Sequence, residues 1–364
     1  MYLQKLSVYN FKNYIQTDFS FSDNINCFIG SNGIGKTNLL DAIHYLSFCK
    51  SYFTPIDTQN IRHDQDFFAI HGSYIKKTGE EDIVQCIQGR NQRKRFLLNK
   101  KEYDRLSDHI GYLPLVMISP YDRDLINDGS EIRRKFMDSV ISQFDKIYLD
   151  DLINYNKALG QRNSLLKLFA EKHNFDKLSL EIWDEQLIKY GESIYQKRKE
   201  FLEQIVPVFE KYFRLITGGS ESVYIGYRTQ LEKISMRKKL EESLPADKLV
   251  QYTTVGIHKD DLDFLMEGFS VKKYGSQGQQ KSFVIALKLA QFDFTRKAKG
   301  YNPILLLDDI FDKLDDARVQ QLINLVSEHS FGQVFITDTS EERILRNFDT
   351  MYIDHRIFRL PLDS

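Results

Sequence analysis

The chain has 364 residues, 42 % of them apolar and 28 % charged, with 26 Phe and 20 Tyr and a formal net charge of −1. That composition can bury a large core, which excludes a disordered chain. The near-neutral charge excludes a globally basic nucleic-acid binder, so any DNA surface must come from local clustering. Three scattered cysteines, Cys27, Cys49 and Cys86, offer no paired spacing for a disulfide framework or a zinc site and fit a reducing compartment.

The opening "YLQKLSVYNF" sets Leu3, Leu6 and Val8 among polar neighbours, which predicts a half-buried strand. "NINCFIG" predicts a buried strand that ends at Gly30, and "TNLLDAIHYLSF" places Leu39, Leu40, Ile43 and Leu46 at helical spacing. Between them lies "GSNGIGKT", which fits the pattern Gly, any four, Gly, Lys, Ser/Thr of a phosphate-binding loop. Gly30, Ser31, Asn32, Gly33, Ile34, Gly35, Lys36 and Thr37 are therefore nucleotide-binding candidates. The glycines let backbone N–H groups point inward, and the helix start adds partial positive charge. Lys36 is expected to be an exposed ligand group reaching the β- and γ-phosphates, and Thr37 to ligate Mg²⁺. No apolar run reaches the roughly 18 residues of a membrane span, and the polar N-terminus is unlike a secretory signal.

Further along, "GRNQRKRFLLNKK" gathers Arg90, Arg93, Lys94, Arg95, Lys100 and Lys101, the local density that phosphate contacts to DNA need. Smaller basic clusters are Arg133, Arg134 and Lys135; Lys197, Arg198 and Lys199; and Arg237, Lys238 and Lys239. A charge run is more often a solvated face, and the first cluster is the best DNA candidate because it lies in the half that carries the loop. Two long amphipathic helices are expected from Ile132, Phe136, Val140, Phe144, Tyr148, Leu152, Tyr155 and Leu159, and from Trp183, Leu187, Tyr190, Ile194, Phe201, Ile205 and Tyr212. "EKHNFDK" would turn the chain between them, Pro207 would kink or end the second, and "TGGS" at 217–220 would break it. At 1.5 Å per residue such helices would span about 45 Å.

"YGSQGQQKSF" offers Ser276, Gln277, Gly278 and Gln279 ahead of a helix, a donor-rich phosphate sensor or, blandly, a polar capping loop. "PILLLDDIF" is a buried strand ending in two acids. Asp308 is the metal candidate, with Thr37, and Asp309 would polarise the attacking water; Asp309 and Lys36 are the catalytic candidates. Lys36 and Asp308 lie near opposite ends of the chain, so a long insertion separates the halves of one site.

The three motifs in this order resemble ABC-type ATPases of the SMC-like branch. "LSVYNFKNYIQTDFSF", "ISPYDRDLINDGSEIRRKFMD", "YNKALGQRNSLLK" (with Gln161, Arg162, Asn163 and Lys167) and "TVGIHKDDLDF" (with His258, Asp260 and Asp261) resemble the RecF family of bacterial DNA repair proteins. The sequence departs from the family pattern at Phe53, where Arg is usual, and in "SPYDRD", where a Glu is expected near Tyr121; Thr337 stands where transporter ATPases carry a switch histidine. The resemblance implies an α/β ABC-type P-loop ATPase head with an inserted antiparallel α-helical arm: residues 1–128 as the first half of the head, 129–218 as the arm and 219–364 as the second half. It also implies an ATP- and Mg²⁺-dependent homodimer in which Ser276 acts on the partner's nucleotide, with a weak, DNA-stimulated ATPase used as a switch. Double- and single-stranded DNA would be bound at gaps and single-strand–double-strand junctions in the cytoplasm, with RecO and RecR, to load RecA in repair, replication restart and the SOS response. Two alternatives stand: the ATPase subunit of an ABC transporter, and a small SMC-like chromosome organiser.

Overall fold

The computed structural model describes residues 1–219, 221–311, 316–327, 331–349 and 355–361. In chain order the strands and helices begin with β1 (Tyr2–Phe11), β2 (Tyr14–Ser20), β3 (Ile25–Ile29), α1 (Lys36–Phe48), β4 (Phe67–Ile75), β5 (Glu81–Gly89), β6 (Arg95–Leu98), β7 (Lys101–Glu102) and β8 (Leu115–Ile118). There follow α2 (Asp124–Asn127), α3 (Ser130–Ser142), α4 (Lys146–Lys172), α5 (Lys177–Thr217), β9 (Val223–Arg228), α6 (Met236–Val250), β10 (Asp261–Met266), β11 (Phe269–Ser270) and α7 (Val271–Tyr274). The chain closes with α8 (Gln277–Lys299), β12 (Ile304–Leu307), α9 (Asp316–Ser327), β13 (Val334–Asp338), α10 (Glu341–Asp349) and β14 (His355–Arg359).

These elements form two compact units, one of Met1–Asp122, Leu215–Gly218 and Lys281–Ser364, the other of Arg123–Arg214 and Gly219–Gln280. Residues 219–280, including Ser276, thus group with the helices, whereas the sequence division places them with the second half of the head.

The first unit holds two sheets. The parallel one has the order β14-β3-β13-β12-β8. Its strands β3 (INCFI), β12 (ILLL) and β8 (LVMI) are buried along their whole length, which is the signature of a sheet covered on both faces. Because the strands are parallel, the carboxyl ends of β3, β13 and β12 share one edge, with Ile29 opposite Asp338 and Leu307 opposite Ile336. The other sheet is antiparallel, in the order β2-β1-β4-β5-β6-β7. Leu3 and Leu6, three residues apart, would face opposite ways on a regular strand; a register shift between Leu3 and Lys5 turns both inward. Phe19, Phe21, Phe28, Phe335 and Phe358 form one aromatic core cluster, with Phe21 edge-on to Phe335 at 4.9 Å and 85°.

The second unit corrects the expected two-helix arm in one respect. The run from Ile132 to Leu159 is two helices, because Asp145 accepts a hydrogen bond from Tyr148 N at 2.9 Å and caps a new start at Lys146. Side-chain contacts of Asp151 with Ser193 and of Arg162 with Asp184 run α4 and α5 antiparallel, as expected. The turn lies at 173–176, where Asp176 accepts from Leu178 N and Ser179 N and so caps α5. At 41 residues α5 is about 60 Å long; Pro207 lies inside it and does not end it. Gly218 and Gly219, both at positive φ, follow its end, and Ser220 lies outside the described residues.

Candidate nucleotide site

The loop after β3 is shaped by two glycines that no other residue replaces. Gly30 stands where a Cβ would lie 2.8 Å from the Leu360 carbonyl oxygen. Gly35 has φ +116°, and its Cβ would lie 2.4 Å from Asn13 Nδ2. Asn13 Nδ2 donates to Ile34 O at 2.9 Å, Tyr14 Oη to Gly35 O at 3.2 Å, and Asn38 Nδ2 to Asn13 Oδ1 at 2.7 Å. The β1–β2 turn thus braces the loop, a role for Asn13 and Tyr14 that nothing in the linear pattern signals. Gly35 gives α1 no side-chain cap, so the amides of its first turn suit an anion.

Lys36 is not the exposed group expected from the sequence. It is buried at 4 % exposure, with Nζ donating to Gly30 O at 2.7 Å and Ser31 O at 3.1 Å. The burial comes from the loop wrapping its own lysine, which sets the ammonium among the backbone groups that would meet phosphates.

Asp308, 271 positions from Thr37, follows β12 on the same sheet edge. Thr37 Oγ1 lies 2.9 and 3.1 Å from its two carboxylate oxygens. Thr337 on β13 donates to Asp308 Oδ1 at 2.8 Å and accepts from Asp309 N at 2.9 Å. Burial raises the Asp308 carboxyl to about 6 against the opposing hydrogen bonds from Thr337 and Thr37. Asp309 sits at φ +43°, a left-handed conformation that Asp tolerates better than most residues. Thr37 and Asp308 are hard oxygen donors of the kind Mg²⁺ takes. Among the described residues no group of three or more His, Cys, Asp or Glu could hold a metal; Mg²⁺ here would complete its shell with oxygens of water or phosphate.

In the second unit, Ser276 begins α8 with a reciprocal capping box: Gln279 N donates to Ser276 Oγ at 3.2 Å and Ser276 N to Gln279 Oε1 at 2.8 Å. Gln279 is further bonded to Glu221. Ser276 is exposed and its oxygen accepts from the Gln279 backbone, which leaves the rotatable hydroxyl able to donate. Gln277 is exposed and Gly278 half-buried beside it.

The basic clusters separate by environment. Lys94 is turned inward, 2.6 Å from Asp57 and 2.6 Å from Cys49 O. Arg90, Arg93, Arg95, Lys100 and Lys101 are exposed. Arg133 binds Asp261 at 2.6 Å, and Arg198 binds Asp138 at 2.8 Å and Asp260 at 2.9 Å, both within the fold. Arg162, fully buried, bonds Asp184 and Asp247 at 2.6 Å and Thr253 at 2.9 Å. These arginines, with Asp260 and Asp261, form the polar framework of the helical unit. His258 accepts from Tyr155 at 2.8 Å, and burial lowers it to about 4.

The two departures, Phe53 and Tyr121, meet each other: their rings are edge-on at 5.3 Å, with Lys12 Nζ 5.3 Å over Phe53.

Comparison with known proteins accords with this geometry. Residues 2–355 match the family model described as the RecF/RecN/SMC N terminal domain. A DNA replication and repair protein RecF of Flavobacterium johnsoniae is 51 % identical over 99 % of this chain and 100 % of its own length. One of Bacteroides fragilis is 49 % identical over 99 % and 96 %. Among solved structures, the recombination mediator protein RecF–ATP of the RecFOR pathway matches with a TM-score of 0.87 and 31 % identity, covering 94 % of this chain and 92 % of that one. The Smc head bound to the C-winged helix domain of ScpA, at 17 % identity and a TM-score of 0.57 over 95 % and 92 %, shares the fold. The transporter alternative gives way to this match, and the chain is a member of the RecF family of DNA replication and repair proteins, built on an SMC-like ABC ATPase head.

Proposed function

We propose that the chain is an ATP-switched DNA clamp acting at single-strand gaps and single-strand–double-strand junctions. The observation that carries this reading is the meeting of Thr37 and Asp308 from opposite ends of the chain on one sheet edge, beside the Lys36 loop. ATP with Mg²⁺ would supply phosphate contacts that exist only when two chains close. Gly30–Thr37 would hold the phosphates through backbone amides, and Lys36 would exchange its loop carbonyls for phosphate oxygens. Thr37 and Asp308 would hold the metal, and Asp309 would orient water, held in place by Thr337. Ser276 of a second copy, its oxygen already occupied as an acceptor by Gln279 N, would donate its proton to the γ-phosphate. The chemistry is a binding switch with slow hydrolysis rather than a metabolic turnover.

Arg90, Arg93, Arg95, Lys100 and Lys101 remain the proposed DNA contacts, and Lys94 is assigned to the fold. Among the described residues no helix is long and apolar enough to cross a membrane, and the reading places the protein in the cytoplasm with RecO and RecR as partners in RecA loading. The test is DNA retention on gapped and fully paired DNA, with ATP, ADP and no nucleotide. ATP-dependent retention favouring the gapped substrate supports the reading; retention indifferent to nucleotide overturns it.

A further inference from the structure

The antiparallel sheet of the first unit buries one face in the core and leaves the other in solvent. Along β4 and β5 the inner residues Phe68, Ile70, Val84 and Cys86 are buried, while their neighbours face outward. Two large aromatics stand on the outer face. Tyr9 and Phe67 are each 41 % exposed, and their rings stack on each other at 5.7 Å with 28° between planes. At that offset the rings overlap only partly, so π-surface of both remains in water.

The register places them beside positive charge. Tyr9 pairs with Ala69, Ala69 with Ile87, and Ile87 with Arg95. Those four residues therefore form one row on one face, spanning three strand spacings or about 14 Å. Phe67 pairs with Gly89. The next residue, Arg90, lies past the end of β5 and is tied to the approach to β4, its N donating to Asp66 O at 3.0 Å and its Nε to Gln65 O at 2.8 Å. Arg95 is ion-paired with Glu102 at 2.9 Å across exposed surface. Such a pair contributes little and yields readily to a phosphate.

From this we infer that the outer face of the antiparallel sheet is a platform for unpaired DNA bases, with Tyr9 and Phe67 stacking bases and Arg95 meeting a phosphate of the same strand. A sheet face that carries two exposed rings, with a guanidinium group farther along the same face, suits a flexible polyanion with π-faces of its own. Duplex DNA does not fit, because its base faces are covered by their neighbours. The inference rests on the DNA-binding reading above and adds a separate subsite for the single-stranded side of a junction.

The test measures binding of a fluorescent oligo(dT) and of a fully paired duplex at one salt concentration, with ATP, to the full chain. The Tyr9→Leu/Phe67→Leu variant keeps apolar bulk and loses the π-faces. It should bind oligo(dT) at least about fivefold more weakly, the low end of loss per stacked base, and bind duplex as the parent does; Tyr9→Phe should match the parent on both. A bromouracil-containing oligonucleotide should photocrosslink to a peptide carrying Tyr9 or Phe67 in the unmodified protein, so the inference stays testable if the double variant does not fold. Unchanged oligo(dT) binding, equal loss on both DNAs, or crosslinks only elsewhere overturns the platform and leaves the face for a protein partner. A parent chain that binds neither DNA overturns the underlying DNA reading as well.

Discussion

Thr337→Val isolates the group that touches both acids at the end of β12. Thr337 is fully buried on β13, between the strand that feeds the loop and the strand that ends in Asp308. Its hydroxyl donates to Asp308 at 2.8 Å and accepts from Asp309 N at 2.9 Å. Valine keeps the shape and removes both bonds. A hydrogen bond to a charged group contributes about 1.5–3 kcal/mol, and an orphaned buried N–H costs about 1–3 kcal/mol. The two share one hydroxyl and do not add fully, so the expected loss is about 3 kcal/mol. Two functional changes should accompany it. Asp308 loses a donor that opposes its raised value of about 6, so metal-dependent ATP binding should move to higher pH. Asp309 loses the contact that holds its backbone at φ +43°, so hydrolysis should slow. Urea unfolding, Mg²⁺ titration of ATP binding at several pH values, and phosphate release measure the three. A stability loss under about 0.5 kcal/mol with unchanged metal dependence would refute the reasoning.

Asp308→Asn should weaken Mg²⁺-dependent ATP binding, whereas Asp309→Asn should bind ATP and slow hydrolysis by about 100-fold or more; parental turnover in both rejects these roles. Arg162→Leu leaves Asp247 buried without its cation and should cost about 3–5 kcal/mol in unfolding experiments, with partial recovery in Arg162→Leu/Asp247→Leu; a loss below about 1 kcal/mol contradicts the framework role. Burial lowers His44 and His258 to about 4 from 6.5, so the unfolded chain takes up protons that the folded chain refuses. Their contribution should be complete above pH 6.5 and fall away as pH drops toward 4, by about 3 kcal/mol each; His258→Gln should flatten the pH dependence of unfolding, and an unaltered slope counts against the assignment.

The nucleotide loop was legible because its chemistry is local: glycines, Lys36 and Thr37 lie within one strand–turn–helix. The pairing of Thr37 with Asp308 was legible from motif order, since a buried apolar run such as β12 announces both a covered strand and its acidic end. Asn13, Tyr14 and Thr337 were not legible in these roles, because their contacts follow from tertiary register and not from spacing. The break before Lys146 was hidden because the apolar period continues in phase across it, while Asp145 supplies a cap that a period does not detect. Arg133, Lys94 and Arg198 look like surface charge in the sequence. Their carboxylate partners, Asp261, Asp57 and Asp260, lie far along the chain, so pairing inside the fold leaves no local trace.

The central claim is that one nucleotide site is completed by two chains. Mixing Lys36→Met protein with Ser276→Arg protein tests it most directly. Each variant alone damages both composite sites of its homodimer, whereas a mixed dimer carries both lesions in one site and none in the other. The account predicts partial recovery of ATP hydrolysis and of ATP-dependent DNA retention on mixing. No recovery at any ratio, in mixtures shown to contain heterodimers, would contradict it.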